Sequence, residues 1–290
     1  MASFVTNDGA VLHFDRQGDG PAMVLVHGFA SSGRVFVHQV DQFCSDFTVY
    51  TPDMRGHGRS AHVSHGARVA RLGRDLHDLI ESEGIDRVRL VGWSMGCAVI
   101  WSYLDLFGDD RIESYAFIDE IPYVLQDEEC IGQEETVLDS APLIGLQRRF
   151  AMAETRRAEV QGFIASMMRS VPDSDRAAIL DDAAIAATPM GVGLLLDSNA
   201  TDFRDVIPRL RRPTLFVAAD QSFFRVAFHK WMHHVAPHSS LVVCRDAGHF
   251  LMVEQPETLN SALKAFFGDS LSQTAGRCRK SHTDFEEERA

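Results

Sequence analysis

The sequence predicts an α/β protein, with a mostly parallel sheet covered by helices on both faces and a helical segment inserted late in the sheet. Three observations predict it. Short apolar runs such as AMVLV and VRLVGW are continuous rather than alternating, as strands buried on both faces are. These runs alternate with stretches of helical periodicity, the order that a parallel sheet with right-handed crossovers requires. From about Tyr123 to Phe203 the alternation stops, and amphipathic sequence such as IGLQRRFAMAETRRAEVQGFIASMMRS contains no strand.

The elements follow in order. SFVT and AVLHF flank Asn7-Asp8-Gly9, a turn signal that predicts an opening hairpin. AMVLVHG (22–28), FTVYTPD (47–53), VRLVGW (88–93) and SYAFID (114–119) are the next strands, with helices over roughly 34–44, 66–84 and 95–107. PTLFVAAD (213–220) and SLVVCRDAGH (240–249) resume the strands, with one helix between them and another at 254–267. The expected division is a core of 1–122 and 204–268, a helical lid of 123–203, and a tail, 269–290, whose polar sequence predicts disorder. Such an insertion lies over the carboxyl edge of the sheet, where open α/β sheets bind ligands and lids exclude water. Met152, Met167, Met168 and Met190 of the insertion read as helix packing, although thioethers also suit an apolar channel.

Composition narrows the function. A chain of 290 residues, 45% hydrophobic and 24% charged, buries a substantial core. A formal charge of -13 repels a phosphate backbone, so nucleic acid is not an expected partner. No apolar run approaches the roughly 20 residues that span a bilayer. The segment MASFVTNDGAVLHF lacks the pattern of a secretory signal. No membrane partner is expected, and the expected location is cytoplasmic. The five cysteines form no C-x-x-C pair and the thirteen histidines are dispersed, so no metal is expected. G-x-G-x-x-G and phosphate-loop patterns are absent, so no cofactor is expected. A homodimer is left open.

The stretch VRLVGWSMGCAVI sets Ser94 between Gly92 and Gly96, where a strand ends and a helix begins. G-x-S-x-G in that context is a nucleophile elbow, a sharp turn that lifts the hydroxyl above the sheet edge. The glycines leave room where any side chain would meet the adjoining strand or helix. The first N–H groups of the helix point at the same spot and stabilise a negative oxygen developing there.

Three further motifs accompany the elbow: His27-Gly28-Phe29 after AMVLV, DMRGHGRS (53–60) after FTVYTP, and Asp246-Ala247-Gly248-His249 late in the chain. Together with GWSMG they resemble the α/β-hydrolase superfamily over roughly residues 3–267. The resemblance implies the α/β-hydrolase fold and serine chemistry, and says nothing of the substrate. It implies that Ser94 is the nucleophile, that His249 is the base a serine needs, and that the backbone N–H groups of Phe29 and Met95 form the oxyanion hole. His27 is expected to brace its loop, and Asp53, Arg55 and His57 to hold loops together.

The carboxylate that orients the histidine is where the pattern departs. In the family it usually follows the strand corresponding to TLFVAA, but here Ser222 occupies that position and Asp220 lies two residues early. SYAFIDEIP offers Asp119 and Glu120 at an earlier strand end, the position used by haloalkane dehalogenases and zearalenone-type lactone hydrolases. Strand alternation turns these two side chains opposite ways, so at most one points at His249. Asp119 is preferred, with Asp220 and Glu120 as alternatives.

The expected function is a serine hydrolase, carboxylesterase- or lactonase-like. It would cleave a small, moderately hydrophobic ester or lactone through an acyl-enzyme. A serine at the elbow argues against dehalogenase and epoxide hydrolase chemistry, which use aspartate there. The resemblance leaves three alternatives: a C–C bond hydrolase, a haloperoxidase-like perhydrolase on the same triad, or a catalytically weak small-molecule receptor.

Overall fold

The Asn7-Asp8-Gly9 turn closes as a hairpin, with Gly9 at φ 82° and the Gly9 N–H donating to Thr6 O at 2.9 Å. It joins β1 (Ala2–Val5) to β2 (Val11–Gln17), paired antiparallel from Ala2–Phe14 to Val5–Val11. The computed structural model describes residues 2–124 and 140–268. The start of the expected lid, 125–139, and the expected disordered tail, 269–290, lie outside the described residues.

The remaining strands are β3 (Ala22–Val26), β4 (Thr48–Pro52), β5 (Val88–Trp93), β6 (Ile112–Ile118), β7 (Thr214–Ala219) and β8 (Ser239–Cys244). They form one sheet of order β1-β2-β4-β3-β5-β6-β7-β8. β2 pairs antiparallel with β4, and every pairing from β4 through β8 is parallel. Burial agrees with the continuous apolar reading in the centre, where β4, β5 and β7 are buried at every position. At β8 it does not: this outermost strand is partly exposed, and Val243 faces solvent. An edge strand has a neighbour on one side only, whatever its side chains prefer.

The crossovers are α1 (Val37–Phe43), α2 (Val69–Ser82) and α3 (Met95–Phe107). α2 and α3 approach so closely that a Cβ on Gly73 would lie 2.9 Å from the Tyr103 nitrogen. Two expected boundaries change. The helix expected over 34–44 begins as a 3-10 turn, Gly33–Phe36, before α1. The strand expected to run to 249 stops at Cys244, because Asp246 at φ 56° turns the chain.

Between β6 and β7 stand α4 (Ser140–Ala151), α5 (Arg156–Ser166), α6 (Asp173–Ala186) and α7 (Pro189–Ala200), with α6 and α7 bent by 97°. Thr188 caps α7 by accepting the Gly191 N–H at 3.0 Å, and Pro189 takes the first helical position. α8 (Val226–Val235) joins β7 to β8. The helix expected at 254–267 is split into α9 (Leu251–Glu254) and a helix, α10, over 256–268. Pro256 explains the break: it has no N–H to continue the ladder and suits a helix start. Phe267 of α10 packs edge-on against Phe43 and Phe47.

Three carboxylates tie the inserted helices to the sheet's carboxyl edge. Asp182 of α6 accepts from the Ser32 hydroxyl at 2.6 Å and from Arg34 at 2.7 and 2.8 Å. Asp197 of α7 accepts the Val69 N–H at 2.7 Å, where α2 begins. Glu254 of α9 accepts the Arg169 N–H at 3.0 Å and the Gly248 N–H at 2.7 Å, linking the insertion to the loop of His249. Among the described residues, no single helix is long and apolar enough to cross a membrane. Of the four methionines of the insertion, Met168 and Met190 are buried in the core and Met152 is 58% exposed. Met167 lines the cavity described below.

Candidate active site

At the end of β5 the chain turns into α3 within one residue. Ser94 takes up the turn at φ 52° and ψ −132°, a conformation costing on the order of 1–3 kcal/mol for a side-chain-bearing residue. The surroundings hold it there. The Ser94 N–H donates to Ile118 O at 3.1 Å, and Ser94 O accepts the Cys97 N–H at 2.7 Å. A Cβ on Gly92 would lie 2.8 Å from the Cys97 nitrogen, and one on Gly96 would collide with the Val26 carbonyl oxygen. The glycines of the motif are therefore a packing requirement of the elbow.

Ser94 opens into a cavity of about 320 Å³ that it shares with His249, Phe29, Met95 and Glu120. Its hydroxyl makes no hydrogen bond with another described residue. His249 sits in the loop between β8 and α9. Its Nδ1–H donates to Asp119 Oδ2 at 2.7 Å, which leaves Nε2 as the free nitrogen of the ring. Trp93 fixes the same residue from the other side: its indole Nε1–H donates to His249 O at 2.8 Å, with ring centroids 5.2 Å apart.

Asp119 is fully buried at the end of β6, in the left-handed region at φ 46°. That conformation is cheaper for aspartate than for most residues. Its N–H donates to Val217 O at 2.8 Å, and Oδ1 accepts the Ala219 N–H at 3.1 Å, so β7 holds the carboxylate by its backbone. His229 of α8 lies beyond it, fully buried, with Nδ1 3.3 Å from Arg225 O; its Nε2, 3.9 Å from Asp119 Oδ1, has no hydrogen-bonding partner among the described residues. Burial pushes the His229 pKa down.

The alternatives stand apart. Asp220 donates its N–H to Cys244 O at 3.0 Å, but its side chain makes no bond to His249, and its buried Oδ1 has no partner among the described residues. Ser222 at the family's usual acid position accepts the Phe224 N–H at 3.3 Å instead. Glu120 makes no bond to His249; its Oε1 accepts the Ile121 N–H at 2.9 Å. Burial, and then the neighbouring Asp119 carboxylate, push its pKa up to about 8 against that hydrogen bond.

The Phe29 and Met95 N–H groups have no acceptor among the described residues. Phe29 is brought close by Gly28, where a Cβ would lie 2.9 Å from Ser94 Cβ. The His27 ring spans its loop: Nδ1–H donates to Gly28 O at 2.8 Å and Nε2 accepts the Met54 N–H at 3.0 Å, with burial holding the ring neutral. Asp53 accepts the Gly33 and Arg59 N–H groups, at 2.9 and 3.0 Å. Arg55, fully buried, forks onto both oxygens of Asp75 at 2.7 and 2.9 Å. His57 is buried beside His27, its ring edge-on at 5.3 Å, with Nδ1 on Arg55 O. These residues brace the loops, as expected.

The cavity walls are chiefly apolar. Phe29, Trp93, Phe223 and Phe224 come from the sheet edge, and Leu146 and Phe163 from the inserted helices. Phe223 lies 4.7 Å from the His249 ring, centroid to centroid, and is 43% exposed. Trp93, His229 and Phe223 were not foreseen as site residues. Trp93 occupies the free position of G-x-S-x-G, where nothing marks an indole that reaches His249. His229 carries no local signal within VAFHKWMHHV. Among the described residues, no cluster of three or more His, Cys, Asp or Glu side chains is arranged to hold a metal ion.

Residues 23–262 match the model of the alpha/beta hydrolase family. The chain belongs to that family. Among the relatives of this α/β hydrolase is a pimeloyl-[acyl-carrier protein] methyl ester esterase of Vibrio vulnificus, 24% identical over 258 residues, which are 89% of this chain and 98% of the relative. The bromoperoxidase of Bacillus anthracis superposes with a TM-score of 0.85 at 28% identity, over 92% of this chain and 99% of the other. A thermophilic esterase from Thermogutta terrifontis gives a TM-score of 0.76 at 26% identity, over 93% and 98% of the two chains. This α/β hydrolase is thus an enzyme of the hydrolase type, with esterases among its relatives.

Proposed function

We propose that this α/β hydrolase is a serine esterase that cleaves a small, moderately hydrophobic carboxylic ester or lactone through an acyl-enzyme. The observation that carries the reading is the 2.7 Å bond from His249 Nδ1–H to Asp119, made by a histidine that shares its cavity with Ser94. Ser94 Oγ attacks the ester carbonyl carbon while His249 Nε2 takes the hydroxyl proton. The Phe29 and Met95 N–H groups receive the oxyanion of the tetrahedral intermediate. Collapse breaks the C–O bond to the leaving group, which takes the proton from Nε2 and departs as an alcohol. Water then gives its proton to Nε2, attacks the acyl group, and releases the acid with Ser94 restored. Asp119 remains ionised and stabilises the imidazolium. Substrate binding completes the Ser94–His249 hydrogen bond, which in many free enzymes is unformed. The helices α4–α7 act as the lid that keeps bulk water from the acyl-enzyme.

The test is direct. Ser94→Ala should lower kcat on a p-nitrophenyl ester by about a thousandfold or more, and a fluorophosphonate probe should form its adduct on Ser94. A Ser94→Ala protein that keeps both turnover and labelling would overturn the assignment. The likeness to the bromoperoxidase favours a second reading of the same site, in which hydrogen peroxide rather than water attacks the acyl-enzyme. The products are then a peracid and free Ser94. Peracid formation from an ester and hydrogen peroxide, absent in Ser94→Ala, would show it.

A further inference from the structure

We propose that Glu120 is a second recognition group of the cavity, a neutral carboxylic acid that donates a hydrogen bond to an acceptor oxygen of the substrate. The preferred substrates are then esters or lactones with a further uncharged oxygen, such as a keto, alkoxy or second carbonyl group. This inference rests on the serine esterase reading for the position of the scissile bond.

Glu120 is 6% exposed and lines the cavity together with Ser94 and His249. One carboxyl oxygen accepts the Ile121 N–H at 2.9 Å; the other has no hydrogen-bonding partner among the described residues. Among the described residues, no basic side chain pairs with it. Arg149, which lines the same cavity, is more than half exposed and lies 3.6 Å from Glu159. The Glu120 carboxyl is not needed by the histidine, whose Nδ1–H is already taken by Asp119.

An unpaired carboxylate in such a wall gains by taking a proton, since burial penalises the charge more than one N–H can offset. The neighbouring Asp119 carboxylate acts in the same direction. Protonation creates an O–H donor, and a buried donor without an acceptor is costly. No described side chain accepts from that oxygen, and it faces the cavity that a substrate would enter, so a bound substrate can supply the acceptor. The class of acceptor follows from the charges nearby. An anionic substrate group would add a negative charge close to the buried Asp119 carboxylate, which already disfavours charge on Glu120, and a cation would draw the proton off Glu120. An uncharged oxygen does neither.

The test uses pairs of esters in which one methylene is exchanged for an ether oxygen, phenyl butanoate against phenyl methoxyacetate being the first. Further pairs move the oxygen along the acyl and the alcohol side. The readout is the ratio of kcat/KM within each pair, compared between the parent enzyme, Glu120→Gln and Glu120→Leu, so that intrinsic ester reactivity cancels. For at least one pair, Glu120→Leu should lower the ratio in favour of the oxygen ester by about tenfold or more, the effect of one buried hydrogen bond. Glu120→Gln keeps an N–H donor and should restore the ratio to within about threefold of the parent. Ratios that are the same in the parent and Glu120→Leu for every pair would overturn the proposal with the serine chemistry intact.

A second measurement separates the two readings. Calorimetric binding of the amide analogues, methoxyacetanilide and butyranilide, to Ser94→Ala and Ser94→Ala/Glu120→Leu should show the same loss of preference without turnover. If Ser94→Ala proves fully active, the nucleophile assignment falls, while this binding difference still supports or refutes the Glu120 contact.

Discussion

Asp119 meets His249 because the backbone at the end of β6 turns into the left-handed region and because the Ala219 N–H fixes one of the two carboxyl oxygens. Asp119→Asn should lower kcat on a model ester by roughly a thousandfold or more, by failing to orient and charge-stabilise the imidazole. Asp220→Asn should stay within about threefold of the parent, since the Asp220 side chain makes no bond to His249. Steady-state kinetics on both variants decides it; an active Asp119→Asn beside a dead Asp220→Asn reverses the roles. The ambiguity between these residues was inherent in the sequence. Both aspartates end strands on the ligand-binding edge, and nothing local shows that Ser222 spends its hydroxyl on the Phe224 N–H. Ser94 and His249 were legible because glycine spacing and motif order constrain them. Trp93 was not. Trp93→Phe keeps the ring against His249 but removes the donor to its carbonyl oxygen. Expected is a stability loss of about 1–2 kcal/mol in urea melts. A loss in kcat that exceeds any change in KM should accompany it, as the histidine loop loosens.

At the level of elements, strands and helices were readable from periodicity, and the joints between them were not. The inserted helices were expected from amphipathic sequence without strands, but nothing in the sequence marks Asp182 and Asp197 of the insertion, or Glu254 of α9, as ties. In the folded chain each accepts hydrogen bonds from loops at the sheet's carboxyl edge. Glu254 has the widest reach, since its two oxygens join the insertion at Arg169 to the histidine loop at Gly248. Glu254→Ala leaves both N–H groups without their acceptor. It should cost about 1–3 kcal/mol of stability and lower kcat, because the loop that aims His249 loses its tie. Asp182→Ala cuts the insertion from Ser32 and Arg34, away from His249. It should instead raise KM and speed proteolysis within α4–α7 while leaving kcat nearly intact. The two variants thus divide aiming of the histidine loop from anchoring of the inserted helices. Equal effects on KM and kcat in both would show that the insertion and the histidine loop move as one unit.

The whole molecule carries its buried titratable groups in two opposed sets, and their balance fixes how stability depends on pH. His27, His57 and His229 are fully buried, and burial lowers each from its ordinary pKa of 6.5, His57 to about 3. Below pH 6.5 the unfolded chain binds protons at these positions that the folded chain refuses. Stability is therefore fully present above that pH and falls as the pH drops, by up to about 1.4 kcal/mol per pH unit for each histidine. Glu120 acts the other way. Its folded pKa is raised to about 8 from an ordinary 4.5, so between those values the folded chain holds a proton that the unfolded chain releases. Its contribution is present at low pH and is lost as the pH rises through 8. Between pH 4.5 and 6.5 three histidines oppose one glutamate, and stability climbs with pH. Between 6.5 and 8 the glutamate acts without them, and stability declines. Urea melts from pH 5 to 9 should accordingly place the maximum close to pH 6.5, with the acid limb the steeper. Glu120→Gln, which cannot titrate, should flatten the decline between pH 6.5 and 8 and leave the histidine-driven part of the acid limb in place. A parent protein that continues to gain stability from pH 6.5 to 8 would mean that Glu120 is ionised inside the cavity, and the hydrogen-bond donor assigned to it would then not exist.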